Sequence, residues 1–486
     1  MPGTPRSRGC DNCRRQKKKC DQEKPKCSRC MRLGIECTGA GQQRWKFQEQ
    51  TIHGQSLTAQ SQALHNGQPS QSPNANLSNS STMTSGGLVA LLQITDLRYD
   101  ISVYGTYWDR IPRRMGTCEA LDTAVAAFLQ GHRNTLSRNI SIESLAAFGK
   151  ALRSTQAALS DPKQAYTGNV LCAVSILAIT QTMVVKPPDP YVNHTAVLAH
   201  ILPGIIEQGW TSRFDHEVLI TASVSLIYIC IFRHDIPLHE SLTPLLRQYT
   251  GPRPWKSNHG NPFRSIEIHK LLNLPYYLRE PEKYGPDIRE AYAILREDIP
   301  EARNRLARLA ERNSVEIELA SAMKSTIEKQ HARFQIVYGI LLGLALFMNG
   351  LLDALSDAQD LEWPLVDECV SLREEALKLG HDMLGLRPLY GAGVLNPMIM
   401  AWTLESEQAK REELENVLAE YNEFPAPAQN WYSGAIWLRA YLKRLKARVA
   451  MEKARLELIS LPEKERLTLI DNEPLPEIAA GSCVIL

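Results

Sequence analysis

From about Leu88 onward, apolar positions recur at helical spacing, and three long runs are nearly free of charge. These are 170–185 (VLCAVSILAITQTMVV), 218–232 (VLITASVSLIYICIF) and 334–352 (FQIVYGILLGLALFMNGLL). Each falls short of, or barely reaches, the ~20 residues of a bilayer crossing. Gln181, Gln335 and Asn349 interrupt them further, so the runs read as buried helices of a soluble domain rather than membrane spans. Gly339 and Gly343 form a small-xxx-small pair suited to close helix packing. In the segment 141–160, Ile142, Leu145, Leu152 and Leu159 recur at helical spacing behind Ser141, a good N-cap. Near residue 440 a second amphipathic helix is predicted. Leu438, Leu442, Leu445 and Val449 make its apolar stripe, and Arg439, Lys443, Arg444, Lys446 and Arg448 line the rest. That basic face is expected to oppose the acidic stretch Glu405–Glu415 rather than a membrane or DNA. Strand-like alternation is scarce. The pattern predicts an all-α domain of about a dozen packed helices over residues 88–460.

The texture changes on both sides of that domain. Of the 40 residues from Gln48 to Gly87, 29 are Gln, Ser, Asn, Thr, Gly or Pro, and Glu49 is the only charged one. Such a segment buries too little apolar surface to offset chain entropy, so 48–87 reads as a disordered polar linker. No sustained heptad pattern runs through 45–87. Residues 461–486 read as a flexible tail. Its last four, Cys483-Val484-Ile485-Leu486, fit the C-a-a-X prenylation pattern at Cys483. Asp471, Glu473 and Glu477 deny a lipid the basic helper it needs, so an unmodified Cys483 is expected.

Charge and cysteine both concentrate at the other end. Residues 1–50 hold 13 Lys and Arg against 5 Asp and Glu, a net +8, while the remaining 436 hold 42 against 48, a net −6. A basic head on a mildly acidic body suggests a polyanion-binding module. Six of the eleven cysteines fall at 10, 13, 20, 27, 30 and 37, as a duplicated C-x2-C-x6-C unit joined by DQEKPK. The opening MPGTPRSRGC has no apolar core segment, so no signal peptide and no disulfide framework is expected, and metal is the better reading. Zinc takes four tetrahedral ligands, thiolate readily among them. Six thiolates give two zinc ions four ligands each only if two of them bridge both metals.

The stretch Cys10–Cys37 resembles the fungal binuclear zinc cluster, the DNA-binding domain of a large family of fungal transcription factors. Cysteine number and spacing match, and Pro25 sits where the family has its loop proline. The resemblance implies Cys10 and Cys27 as bridging thiolates, Cys13 and Cys20 completing one zinc site, and Cys30 and Cys37 the other. It also implies a lysine at Lys17 reading CGG-type triplets in the major groove. Lys18 is its expected helper, and Arg14, Arg15 and Lys19 suit phosphates. The repeat itself agrees. Its first half carries RRQKKK between the second and third cysteines, its second half MRLGIE, where Arg32 and Glu36 cancel. Six thiolates and two Zn²⁺ sum to a net −2, so the basic run, expected on the first helix, must cover that charge before the cluster can approach DNA. Met31, Leu33 and Ile35 are expected to pack the small fold. The body resembles the family's regulatory domain in texture alone, through NVLCAVSILAITQTMVV, HTAVLAHILPGIIEQGW and VLITASVSLIYICIFRHDIPL.

The fold class expected is therefore mostly α: a zinc-cluster DNA-binding domain over 1–47, the linker 48–87, a large all-α helical regulatory domain over 88–460, and the tail. The expected function is sequence-specific DNA binding in RNA polymerase II transcription, in the nucleus. Expected partners are double-stranded DNA, transcription machinery or co-regulators, and a second copy joined through the α-domain; no membrane is expected. The alternative is a metabolite-sensing α-domain that the zinc head only localises to DNA. No enzyme is expected. There is no P-loop, GxSxG or HExxH, GAGVLN (391–396) is no dinucleotide fingerprint, and the adjacent His234 and Asp235 point apart on a helix. The stretch 353–375 reads as a loop leading into a helix, and Cys118, Cys172, Cys230 and Cys369 as buried small hydrophobes.

Overall fold

The computed structural model describes residues 9–23, 26–35, 37, 80–184, 197–208, 212–232, 236, 242, 263–314, 321–355, 363–422 and 431–460. They divide between two compact units, Met1–Ala75 and Asn76–Leu486. Every regular element among the described residues is helical.

The small unit holds α1 (Asp11–Arg15) and α2 (Ser28–Arg32), one for each half of the cysteine repeat. Neither is long enough to stand alone in water. What buries them is sulfur: Cys10, Cys13, Cys27 and Cys30 form the core, with Ile35 packed against it. Met31 and Leu33, expected inside, are instead 58% and 49% exposed. A core built of thiols leaves no room for them.

The large unit begins with α3 (Ser80–Leu92), so helix starts within the segment 48–87 expected to be linker. Leu88 and Leu91 at its end are buried and hold it to the body. The rest of that linker, 48–79, lies outside the described residues, as do His234, Asp235 and the tail with Cys483. Two 3₁₀ helices follow (Ile101–Tyr104 and Thr106–Arg114), then α4 (Glu119–Ser137), α5 (Ile142–Ser160) and α6 (Gly168–Val184). Helices α4, α5 and α6 pack on one another, and α6 on α8 (Arg213–Phe232), after α7 (Leu198–Gln208). Ser141 caps α5 as expected, its side chain accepting from Ser144 N at 3.1 Å. The buried face of α5 matches the expected one in part: Leu152 and Leu159 pack half-buried against the core. Ile142 and Leu145 are exposed, and Ser144, Phe148, Ala151, Thr155 and Ala158 face inward. Small residues let α4 and α6 approach closely, and that contact outweighs the burial of two larger side chains.

A second group follows the short α9 (Ile268–Leu271) and α10 (Leu274–Arg279). The long helices α11 (Gly285–Ser314) and α12 (Ser321–Leu355) pack as a pair, antiparallel by the pairing of Tyr292 with Asn349 across them. Around α12 lie α13 (Leu365–Asp382), the short α14 (Leu389–Ala392), α15 (Leu395–Leu404) and α17 (Trp431–Ser460), and α16 (Gln408–Tyr421) packs on α15. Enclosure on several sides explains why α12 carries its charge-free run: Leu341, Leu342, Ala345, Leu346 and Leu351 are buried. Helices α8 and α12 are long and apolar enough to cross a membrane by length and composition, and 72% of the qualifying stretch of α12 is buried inside the body. The polar interruption Asn349 is satisfied there, its amide donating to Tyr292 Oη and Leu365 O, both at 3.0 Å. Gly339 and Gly343 seat α15 closely, as expected: a Cβ on Gly343 would lie 3.4 Å from Pro397 N.

The stripe of α17 is as expected, with Leu438 and Leu445 buried and Leu442 and Val449 half-buried. Its basic face is not matched to the carboxylates of 405–415. Lys446 pairs with Asp353 (2.9 Å) and Arg448 with Glu282 (2.5 Å), while Arg439 donates to the backbone oxygen of Glu405 (2.5 Å) at the C-terminal end of α15. Helix-end carbonyls attract cations as carboxylates do. Residues 365–382 are helical as expected, and Trp363 before them packs on Tyr292 under the Arg296 guanidinium. Cys118, Cys172 and Cys230 are buried; Cys369 is only partly so.

Candidate metal centre and nucleic-acid interface

The second half of the cysteine repeat copies the first 17 positions later, and the backbone follows. Cys10 N donates to Cys20 Sγ (3.4 Å) and Cys27 N to Cys37 Sγ (3.5 Å). Lys18 N closes α1 on Cys13 O (2.9 Å), as Ile35 N closes α2 on Cys30 O (3.1 Å). Both are six-to-one helix-ending bonds, which require a left-handed residue just before the donor. Gly34 fills that place in the second half with φ +62°, and Lys17 fills it in the first with φ +52°. Glycine takes that conformation freely, whereas a residue with a Cβ is destabilised in it by about 1–2 kcal/mol.

The six sulfurs gather into two groups of four, Cys10-Cys13-Cys20-Cys27 and Cys10-Cys27-Cys30-Cys37, with the ligand atoms of each group all within 4.8 Å of one another. Cys10 and Cys27 belong to both. Cys10 Sγ lies 3.7 Å from Cys27 Sγ and 3.6 Å from Cys30 Sγ, and Cys27 Sγ lies 3.8 Å from Cys13 Sγ and 3.9 Å from Cys37 Sγ. A tetrahedron of sulfurs around zinc, with bonds of about 2.3 Å, has edges of about 3.8 Å. The sulfur groups thus fit two zinc ions sharing two ligands. Cys27 also caps α2, its Sγ accepting from Cys30 N at 3.5 Å.

Burial pushes the Cys13 thiol up to about 12, and hydrogen bonding to Cys10 and Cys27 adds to the rise. The Cys10 backbone N–H instead holds the Cys20 thiol below its ordinary value. Zinc binds thiolate, so metal and proton compete for Cys13. A raised thiol favours the protonated form, so the competition turns toward the proton as pH falls. Titration from about pH 7 to about pH 5 is expected to release zinc, with more than one proton taken up per ion. A zinc-sensitive dye in the titrated solution reports it, and zinc content constant over that range contradicts it.

The basic run is arranged differently from the expected single helix. Only Arg14 and Arg15 lie on α1; Lys17 sits at the left-handed turn, and Lys18 and Lys19 follow it outside any helix. Arg15, Lys17, Lys18 and Lys19 are exposed, while of Arg14 only the backbone is described. Arg15 is oriented by Asn12 Oδ1 (2.5 Å). Gln16, the uncharged member of RRQKKK, accepts from Arg29 Nη2 (3.1 Å) and so ties the two halves together. Its position in the repeat, opposite exposed Leu33, gave no signal of that role. Sequence reading also missed the loop acids. Asp21 accepts from Ser28 N and Glu23 from Ser28 Oγ, both at 2.9 Å, at the start of α2. Two carboxylates just ahead of a helix that begins at Ser28 were a visible signal. The bond to Ser28 holds the Asp21 carboxyl below its ordinary value.

No curated protein and no solved structure matches the chain. Its head does match a known family: residues 8–46 fit the fungal Zn(2)-Cys(6) binuclear cluster domain, which makes this unit a zinc-binding, DNA-binding domain of the fungal transcription-regulator type.

Proposed function

We propose that the chain is a sequence-specific regulator of RNA polymerase II transcription, working in the nucleus. In this reading Cys10 and Cys27 bridge two zinc ions, Cys13 and Cys20 complete one site, and Cys30 and Cys37 the other. Zinc supplies the cross-links that so small a fold lacks in apolar core. Arg15, Lys17, Lys18 and Lys19, with Arg14 beside them, cover the net negative cluster and carry it onto phosphates and base edges. The helical body acts as the regulatory domain that meets co-regulators and any second copy, and no catalytic step is assigned to it.

The observation that carries this reading is the asymmetry of a symmetric repeat. Lys17 holds the left-handed turn that Gly34 holds in the other half. A lysine kept there at a backbone cost fits a side chain needed for contact. If it donates to guanine N7 and O6 of a CGG-type triplet, Lys17→Ala relaxes the preference at that base pair by about 1–3 kcal/mol. Lys17→Gly does the same and also relieves the turn, so its zinc-loaded head is at least as stable as the parent. Arg15→Ala or Lys19→Ala weakens binding alike on all sequences and lowers the salt slope by about one unit per lost phosphate contact. Affinities measured on a guanine-substituted triplet series decide the matter. Equal losses on every triplet for Lys17→Ala would make it a phosphate contact and end the base-reading assignment.

A further inference from the structure

Helix α5 leaves one buried hydroxyl without a partner. Five threonines are buried among the described residues, all of them on helices. Thr123, Thr135, Thr180 and Thr403 each donate to the carbonyl one turn back in their own helix, at 2.8, 3.4, 2.8 and 2.8 Å. That bond is the ordinary way for a helical threonine to satisfy its hydroxyl in apolar surroundings. Thr155 is only 4% exposed, yet its hydroxyl makes neither that bond nor any other. The carbonyl it would use, Ala151 O, accepts instead from Ser154 Oγ at 3.1 Å. A buried hydroxyl left unpaired is destabilising, so it points to a partner from outside the chain.

Thr155 also lines a cleft of about 440 Å³ between α5 and α6. Burial sets the depth of that cleft. Thr155, Val174 and Leu177 are buried and form its floor, while half-buried Leu152, Leu159 and Val197 and exposed Gln156 form its rim. The volume falls within the ~300–1,000 Å³ typical of small-molecule sites. Among the described residues no ionisable and no aromatic side chain lines it. A charged occupant would therefore be desolvated without compensation, and a neutral aliphatic one would not. The Thr155 hydroxyl can donate to an oxygen at the buried end, and the Gln156 amide can meet a second polar group at the mouth.

We propose that this cleft binds a small, neutral, chiefly aliphatic molecule whose carbonyl or hydroxyl oxygen accepts from Thr155 Oγ1. Such a molecule bridges α5 and α6 and stabilises the helical body by mass action. The site is independent of the DNA reading.

Camphor, a neutral aliphatic ketone, serves as the probe, with camphorsulfonate as its charged counterpart. The target is the zinc-loaded full chain carrying isotope-labelled Leu and Val methyls. Camphor is expected to shift the methyl resonances of Leu159, Val174 and Leu177 saturably, with a Kd of about 1 mM or below. Camphorsulfonate is expected to leave them unmoved. Thr155→Val keeps the shape of the side chain and removes the hydroxyl. It is expected to weaken camphor binding about three- to tenfold, the worth of one hydrogen bond, while the unfolding midpoint without camphor stays level or rises. Absence of saturable shifts overturns the proposal, as does equal affinity for camphorsulfonate or undiminished affinity in Thr155→Val. A lowered midpoint in Thr155→Val without camphor overturns it too, because the hydroxyl would then have its partner inside the chain.

Discussion

Cys27→Ser is expected to empty both zinc sites at once. The Cys27 sulfur belongs to both four-thiol groups, lies 3.7 to 3.9 Å from Cys10, Cys13 and Cys37, and caps α2. A serine hydroxyl is a poor zinc ligand at neutral pH and does not bridge two ions as thiolate does. Binding of a structural zinc amounts to about 10–16 kcal/mol, and in so small a module that free energy is the folding free energy. Zinc content is therefore expected to fall from two ions per chain to near none, with loss of the head's structure. Cys37→Ser touches one group only and is expected to retain the zinc held by Cys10, Cys13, Cys20 and Cys27. Metal analysis of the purified variants separates these outcomes. One zinc retained in Cys27→Ser, with the head still folded, would contradict shared ligation.

The second large effect lies in the body. Trp108→Ala is expected to lower its stability by about 3–5 kcal/mol, the usual consequence of removing a fully buried indole. Trp108 is fully buried, its ring centroid 4.5 Å from that of Phe128 and 5.7 Å from that of Tyr107. Phe128 on α4 and Tyr107 on the preceding 3₁₀ helix are themselves fully buried, so the cavity cannot close by a simple side-chain shift. Denaturant unfolding followed by circular dichroism measures the loss. Zinc content should stay at two per chain, because the small unit has its own sulfur core. An unchanged unfolding midpoint would show that the aromatic cluster is not part of the stabilising core.

What could be read from the sequence divides along the range of the forces. Zinc imposes a local geometry with fixed spacing, so the cysteine frame announced itself, and its six sulfurs gather into two groups of four consistent with a metal site. The charge-free run of α12 was equally readable, because a helix enclosed on several sides needs apolar residues all round. The face of α5 was readable only in part. Ile142 and Leu145 looked like core residues, but the choice was made by how closely α4 and α6 approach Ala151 and Ala158. The partners of Lys446 and Arg448 lie 93 and 166 residues away, and no local pattern signals pairing at that distance. Within the site, the left-handed turn at Lys17 was readable in principle, since the repeat places it on Gly34. The basic residues beyond Arg15 were mistaken for helix because charge runs say nothing about where a helix stops.

The central claim is that a two-zinc head, armed on one half only, reads DNA sequence. Selection of bound duplexes from a random-sequence pool by the zinc-loaded full chain tests it most directly. The account predicts enrichment of a CGG-type triplet that collapses in Lys17→Ala and survives, at lower affinity, in Arg15→Ala and Lys19→Ala. A pool that returns unenriched, or an enriched triplet that persists unchanged in Lys17→Ala, would contradict it.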